Sequence, residues 1–356
     1  MRTADAATLT RSPHRRRNRY STAPHPANSA PNDQGGAQAR PFAAPTRFPP
    51  RGESARNRLR PFAENGLLYA NENIILAAAR NATADIKGGI MGCSNPWNLY
   101  DELIAGVPEG IAVTDYALGL HWSYVAAECG CGVAWTMRGG QMGSRKRPDL
   151  RGRDLKSVAA LAKSWNFEEA TLGVAALNAW YSRKELLDPL GAVYEEPKPL
   201  AREERKREAF GEFTPQMKGK KVTVIGHFPH VYEIAERCDE LTVLERNCSE
   251  GDLPDPACEY VLPQQDVVFI TGTTTTNKTL PRLLELSRDA LTILTGPSVV
   301  AAPALFDHHA DVLAGSVVND FEKLAFAVKN GQGRLFGEAL QMMRVVKPGL
   351  DLDLQD

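Results

Sequence analysis

From residue 221 onward the chain repeats one pattern: a short β-branched apolar run, a glycine or charged residue, then a helical segment. The runs are KVTVIG, ELTVLE, DVVFITG, LTILTG and DVLAGSVV, and the segments HVYEIAERC, TLPRLLELS and DFEKLAFAVKN lie between most of them. Parallel strands need long crossovers, and a crossover helix packs back onto its sheet. The alternation therefore predicts a mostly parallel sheet covered on both faces. No other feature of the chain restricts the fold as tightly.

This layout assigns 220–345 to a Rossmann-like domain of α/β class. The preceding half reads differently. NPWNLYDELIAGV is amphipathic, GIAVTDYALGLHWSYVAAECGCGVAWTM holds up to three strand-like runs split by glycines, and LKSVAALAKSWNFEEATLGVAALNAWYSR supplies two helices. Helix, strands, helices predict a small α+β domain over 64–190, with an antiparallel sheet covered by helices on one side. Residues 191–219 are charged and Pro-bearing, which suits a linker with a short helix at 203–213. Residues 1–63 are rich in Arg, Pro, Ser, Ala and Gly without a hydrophobic period, so they are expected to be a disordered tail. Residues 346–356 form a C-terminal tail.

Lys plus Arg number 42 against 43 Asp plus Glu, a formal net charge of -1. That balance gives no global reason to expect nucleic acid or an acidic membrane as partner, and points to a small-molecule or metal ligand. The 6 cysteines are too sparse for a disulfide scaffold and form no C-x-x-C pair, so reduced thiols and a cytoplasmic location are expected. No apolar run approaches the roughly 18 residues of a membrane helix, and the N-terminus has no signal-peptide h-region. A homo-oligomer is left open.

In open parallel sheets ligands bind beyond the carboxyl ends of the strands. Four loops fall there: GHFPH from Gly226, ERN from Glu245, GTTTTNKT from Gly272, and GPS from Gly296. The first is no dinucleotide fingerprint, because Phe228 and Pro229 stand where bare backbone would meet a pyrophosphate. Glu245, about 19 residues after Gly226, suits a ribose hydroxyl or a surface ion pair equally. GTTTTNKT is one residue from a phosphate-cradling loop, but Asn277 replaces the second glycine and no other strand end offers a fitting Mg²⁺ carboxylate, so phosphoryl transfer is disfavoured. Either Thr276 or Asn277 caps the following helix, or Thr273, Thr274, Asn277 and Lys278 meet an anionic ligand at its N-terminus. Ser298 reads as a helix cap or a ligand contact.

No structural zinc spacing occurs. Cys129 and Cys131 alternate on a strand and should face one side. His308 and His309 point apart. His227 and His230 flank a Phe-Pro turn at the ligand edge, where coordination and hydrogen bonding are both open. No Ser-His-Asp or Cys-His nucleophile can be read from the spacing.

The strings GKKVTVIGHFPHV, LTVLERN, GDLPDPACEYVLPQQDVVFITGTTTTNKTLPRLLELS, LTGPSVVAAPALFD and DVLAGSVVND closely resemble a domain family associated with heavy-metal chelation. YDELIAGVPEGIAVTDYALGLHWSYV and SWNFEEATLGVAALNAWYS resemble its companion domain, with the fold of the enolase N-terminal domain. The resemblance covers about 95–340. It implies a Rossmann-like domain packed on an enolase N-terminal-like one, a polar cleft between them, and a divalent heavy-metal ion as the cofactor candidate. This chain departs from the family at Thr275 and Thr276, where relatives carry an aliphatic pair, and at His309, where they carry glycine. From the companion domain, Asn178 either reaches the cleft or makes a buried structural bond. The expected function is binding of a metal or metallophore-related small ligand by Gly226, His227, Glu245, Thr273, Thr274, Asn277, Lys278, Gly296, Ser298 and Asn178, with His227 and His230 as metal ligands. The alternative is an enzyme using an adenosine-containing cofactor; whether any reaction is catalysed stays open.

Overall fold

The computed structural model describes residues 95–143, 147–195, 208–229, 231–333, 335, 337 and 339–354, all within the unit Gly88–Asp356. The tail expected at 1–63 lies outside the described residues, and so does His230.

The first described element is α1 (Trp97–Ala105), followed by a β1-β2-β3 antiparallel meander of β1 (Val113–Leu118), β2 (Trp122–Ala127) and β3 (Gly130–Trp135). Next come α2 (Leu155–Ala159) and α3 (Phe167–Tyr181). Asn166 caps α3 by accepting from the Glu169 N–H at 3.0 Å, and Glu168 and Glu169 set negative charge in its first turn, where the helix dipole favours it. Residues 170–179 of α3 are all buried, as a helix covered on every side must be. The helix lies directly on β3: a Cβ added to Gly132 would stand 2.2 Å from the Ala179 nitrogen, and one on Gly173 would stand 2.0 Å from the Ala162 nitrogen.

Short helices α4 (Lys184–Leu187), α5 (Glu208–Gly211) and α6 (Thr214–Met217) precede and follow β4 (Val193–Tyr194). The second part supplies β5 (Lys221–Ile225), β6 (Glu240–Glu245), β7 (Leu253–Pro254), α7 (Cys258–Val261), β8 (Val267–Thr271), α8 (Thr273–Asn277), α9 (Leu280–Leu286), β9 (Leu291–Thr295), α10 (Ala304–Asp307), β10 (Val312–Val318), α11 (Phe321–Lys329) and β11 (Leu340–Val346). The strands order as β4-β11-β10-β9-β8-β5-β6-β7. The run from β10 to β7 is parallel, while β11 is antiparallel to β10 and to β4. This is an α/β fold with an additional small antiparallel sheet. The chain lays β6 on one side of β5 and β8 on the other, so the direction of sheet growth reverses between β5 and β8.

Alternation along the strands divides the core. Val222, Val224, Phe269, Ile293 and Val312 face α5 and α6 through Phe210, Phe213 and Met217. Ile225, Val268, Ile270 and Leu294 face the other way, into apolar packing shared with α1, α3 and α9. Burial on both faces explains why the runs are apolar throughout instead of alternating with polar residues. A third cluster sets Leu324, Ala325 and Val328 of α11 against Trp122, Tyr124 and Val133. The meander is thus covered on two faces, not one, because α11 arrives from far along the chain.

Other expectations change in detail. Val193–Tyr194, in the segment read as a linker, pairs with β11, and Leu352 and Leu354 of the C-terminal tail pack on the second cluster. Residues Val231–Arg237 are a 3-10 helix. Cys129 and Cys131 do not share a face: Cys129 lies in the turn before β3 and packs on the α3 side, whereas Cys131 packs on the α11 side. No described helix is long and apolar enough to cross a membrane.

Candidate functional site

The reversal between β5 and β8 is the place where a doubly wound sheet leaves a crevice, since the two loops leave their strands toward opposite faces. Gly226 ends β5 with φ 105°, backbone that side-chain-bearing residues avoid. A Cβ there would lie 3.1 Å from Thr271 Cγ2 at the end of β8. A Cβ on Gly296, after β9, would lie 3.9 Å from the Phe228 ring. Gly226, Thr271, Phe228 and Gly296 therefore form one continuous crest across three strand ends.

The His227 N–H donates to Glu245 Oε2 at 2.9 Å. Glu245 Oε1 accepts from the Arg246 N–H at 2.7 Å and the Asn247 N–H at 3.1 Å. The carboxylate singled out for a ribose or an ion pair instead ties the β5 and β6 loops together.

The His227 ring meets a residue that sequence reasoning missed. Its Nδ1 lies 2.9 Å from Asp252 Oδ2. Asp252 also accepts from the Tyr232 hydroxyl at 2.5 Å and the Ser249 N–H at 2.7 Å. Burial alone would raise the Asp252 carboxyl, but the bonds from Tyr232, Ser249 and His227 outweigh it and hold it below the usual value. An ionised carboxylate only accepts, so Nδ1 carries the hydrogen and Nε2 of the neutral ring carries the lone pair. The Asp252 side chain has no exposed surface, whereas that of His227 is 34% exposed. The orienting group is covered and the oriented group is open. Asp252 lies 25 residues from His227, in the string GDLPDP, and no local spacing marks it.

The threonine run is not a loop before a helix. It forms the turn α8, and Lys278 then closes it at φ 67°. Threonine fits because its hydroxyl can bond back along the turn: the Thr274 hydroxyl donates to Thr271 O at 2.7 Å. Tyr100 of α1 donates to Thr275 O at 2.7 Å. Thr273 is half-buried, 3.2 Å from the Thr271 hydroxyl. Asn277 Oδ1 accepts from the Thr279 N–H at 3.1 Å and its hydroxyl at 2.6 Å, a local turn ahead of α9; the N-cap of α9 is Thr279, not Thr276 or Asn277. Lys278 turns away from the His227 loop: Nζ donates to Ser164 O and to Thr276 O, the latter at 2.8 Å. Burial pushes its ammonium down to about 8.

Ser298 and Asn178 lie between the two sheets. Ser298, 2% exposed, accepts from the Trp135 N–H of β3 at 2.8 Å and caps no helix. Asn178, also 2% exposed, donates to Val133 O at 2.9 Å. Thr274 is equally buried. Gly226, His227, Glu245, Thr273 and Gly296 thus gather along the β6-β5-β8-β9 crest, while Ser298 and Asn178 bond to β3 of the small sheet, Thr274 is buried within its own turn, and Lys278 reaches the segment before α3. His308, expected at the surface, pairs through Nε2 with Glu102 of α1 at 2.8 Å. Among the described residues no three of His, Cys, Asp and Glu converge on a metal-sized point.

Residues 208–346 match the DUF364 family and residues 100–181 the DUF4213 family, both described as "Putative heavy-metal chelation". The chain is 34% identical over 217 residues to Uncharacterized protein MJ0500 of Methanocaldococcus jannaschii, covering 57% of this chain and 77% of that one. A DUF364-family protein of unknown function from Desulfitobacterium hafniense is 35% identical, with TM-score 0.63, covering 70% of this chain and 98% of that one. The chain belongs to the DUF364 family. A second DUF364 structure, from Pyrococcus horikoshii, is 23% identical with TM-score 0.58 over 70% of this chain and 99% of its own, and supports the fold. Within this DUF364 chain the β5-β8 switch point and the His227–Asp252 pair both lie in the 208–346 match.

Proposed function

We propose that this DUF364 protein binds a metal ion that arrives already held by a small polar chelator, at the β5-β8 switch point, with His227 Nε2 joining the metal's coordination sphere. The observation that carries this reading is the Asp252 carboxylate on His227 Nδ1 at 2.9 Å. Metal-binding imidazoles are commonly oriented by a carboxylate on the second nitrogen, which fixes the tautomer and raises ligand basicity. A heavy-metal site built from protein alone needs three or four donors. The described residues offer no such set, so they do not fit a resident ion; one oriented imidazole fits an ion whose other positions are filled by its chelator. Thr273, and the bare backbone at Gly226 and Gly296, leave polar and close-approach surface beside it. Glu245 keeps its oxygens on three loop N–H groups, and the adenosine reading gains nothing from them. Free cysteines at 129, 131, 238, 248 and 258 suit the cytoplasmic setting we assign.

Calorimetric titration with Zn²⁺ and Ni²⁺, each alone and as its iminodiacetate complex, tests the proposal. The complexes should bind the full chain more tightly than the free ions do, and His227→Ala should weaken complex binding at least about tenfold. Equal affinity of the two proteins for the complexes overturns it.

A further inference from the structure

Charge is unevenly spread along this chain. Residues 95–356 carry 28 Lys and Arg against 37 Asp and Glu, yet residues 138–154 alone hold 6 of the 28 and only 2 of the 37. The near-zero total hides this basic stretch. A local excess of cations on an otherwise acidic body is a sequence sign of contact with a polyanion. Arg145 and Lys146 of the stretch lie outside the described residues, and the groove described next is built without them.

The segment lies between β3 and α2, and its described residues fold back on the start of α3. The Gln141 N–H donates to Trp165 O, and the Asn166 side chain donates to Gln141 O, both at 2.8 Å. Gly139 and Gly140 are both left-handed, at φ 101° and 73°, and a Cβ on Gly140 would stand 2.1 Å from Trp165 O. An open groove of about 350 Å³ results, lined by Gly139, Gly140, Met142, Gly143, Arg147 and Asn166. Its bare glycines leave backbone within reach of a ligand. Arg138 and Arg147 keep 57% and 40% of their side chains exposed. Beside them Trp165 is 53% exposed and Met142 95%. The Trp165 ring is fixed edge-on to Trp97, with centroids 5.7 Å apart, and Lys278 Nζ stands 5.9 Å from its centroid.

We propose that this groove binds single-stranded nucleic acid, with the two guanidiniums on phosphates and a base against Trp165. Guanidinium forks match phosphate oxygens, and an aromatic face accepts any base, so the pairing is tolerant of sequence. The volume lies at the lower end for small-ligand clefts, room for one base with its phosphate. Glu168 is the built-in competitor. It pairs with Arg147 and lies 3.9 Å from Arg138, so it gathers both guanidiniums at the groove, and an exposed ion pair is exchanged for a phosphate at little cost. An acidic bilayer is the rival polyanion and fits less well: a membrane-lying surface presents a broad apolar face, whereas here two apolar side chains border a concavity that a base can enter. No residue is shared with the His227 corner, and the proposal is independent of that reading.

The test is fluorescence anisotropy of a labelled oligouridine of about 20 nucleotides with the full chain, followed across salt concentration. Contact with about three phosphates gives a slope of about −2 in log K against log salt. Arg138→Gln combined with Arg147→Gln should weaken binding about tenfold, whereas Glu168→Gln, which releases both guanidiniums, should tighten it about threefold. Opposite signs at touching residues cannot come from misfolding. Residues 1–94 hold a further 14 Lys and Arg, so ultraviolet crosslinking and peptide mapping on the full chain decide where the strand lies, with Trp165 or Met142 as the expected crosslinked residue. Crosslinks confined to residues 1–94, unchanged affinity in the double variant, or binding to phosphatidylserine vesicles without binding to the oligonucleotide would each overturn the proposal.

Discussion

Two basic side chains leave neighbouring strand ends of one sheet and meet opposite surroundings. His227, after β5, is exposed and braced by a covered carboxylate that is itself held by Tyr232 and Ser249. Lys278, after β8, is half-buried against Trp165 and Phe167 and meets only carbonyls. At the first corner the negative charge fixes which nitrogen bears the hydrogen. At the second, burial without a carboxylate among the described residues lowers the affinity for the proton, while the carbonyls and ring faces hold the cation. One sheet edge therefore sets one base beside a counter-charge and another without a carboxylate among the described residues, and the partner of each group decides its chemistry more than its residue type does.

The sharpest way to break this contrast is to remove the brace. Asp252→Asn should weaken binding of the metal–chelator complex by about 10- to 100-fold, measured by calorimetry, with the fold retained in the circular dichroism spectrum. Gly226→Ala should strike the backbone beneath the same corner. A Cβ at φ 105° and 3.1 Å from Thr271 should lower stability by about 1–3 kcal/mol in urea unfolding. The opposite corner should answer to pH instead. Burial lowers Lys278 from 10.5 to about 8, so between those values the unfolded chain binds the extra proton and stability rises with pH. Relative to Lys278→Met, the wild-type Tm should climb by about 2–4 °C from pH 8 to 10.5, the effect being damped by the solvent that still reaches the side chain. The mildest change, Tyr232→Phe, removes one of three supports of Asp252 and should weaken complex binding only about threefold.

The five strands read from β-branched runs all occur as neighbours in the sheet, because residues buried on both faces must be apolar at every position and so announce themselves. β4, β7 and β11 were not legible: two are two-residue edge pairings, and β11, antiparallel to β10, carries Gln341 and Arg344 within its run, so it lacks the unbroken apolar signature of the parallel strands. The threonine run misled because β-branched residues are poor helix formers in isolation. Here hydroxyl back-bonding and burial under Tyr100 make them helical. Gly226 and His227 were legible as loop residues at a strand end; their partner Asp252 was not, since a contact across 25 residues leaves no periodic trace. His309 carries φ 71°, which gives the resemblance's glycine at that position a physical reason.

The placement of α11 has a practical consequence. Trp122, Tyr124 and Val133 are covered from outside by Leu324, Ala325 and Val328, residues encoded 200 or more positions later than Tyr124. A fragment stopped ahead of Phe321 would carry every strand of the meander and still present its aromatic underside to water, inviting aggregation. Expression trials that aim to isolate the N-terminal segment should therefore supply residues 321–329 in trans or graft them through a linker.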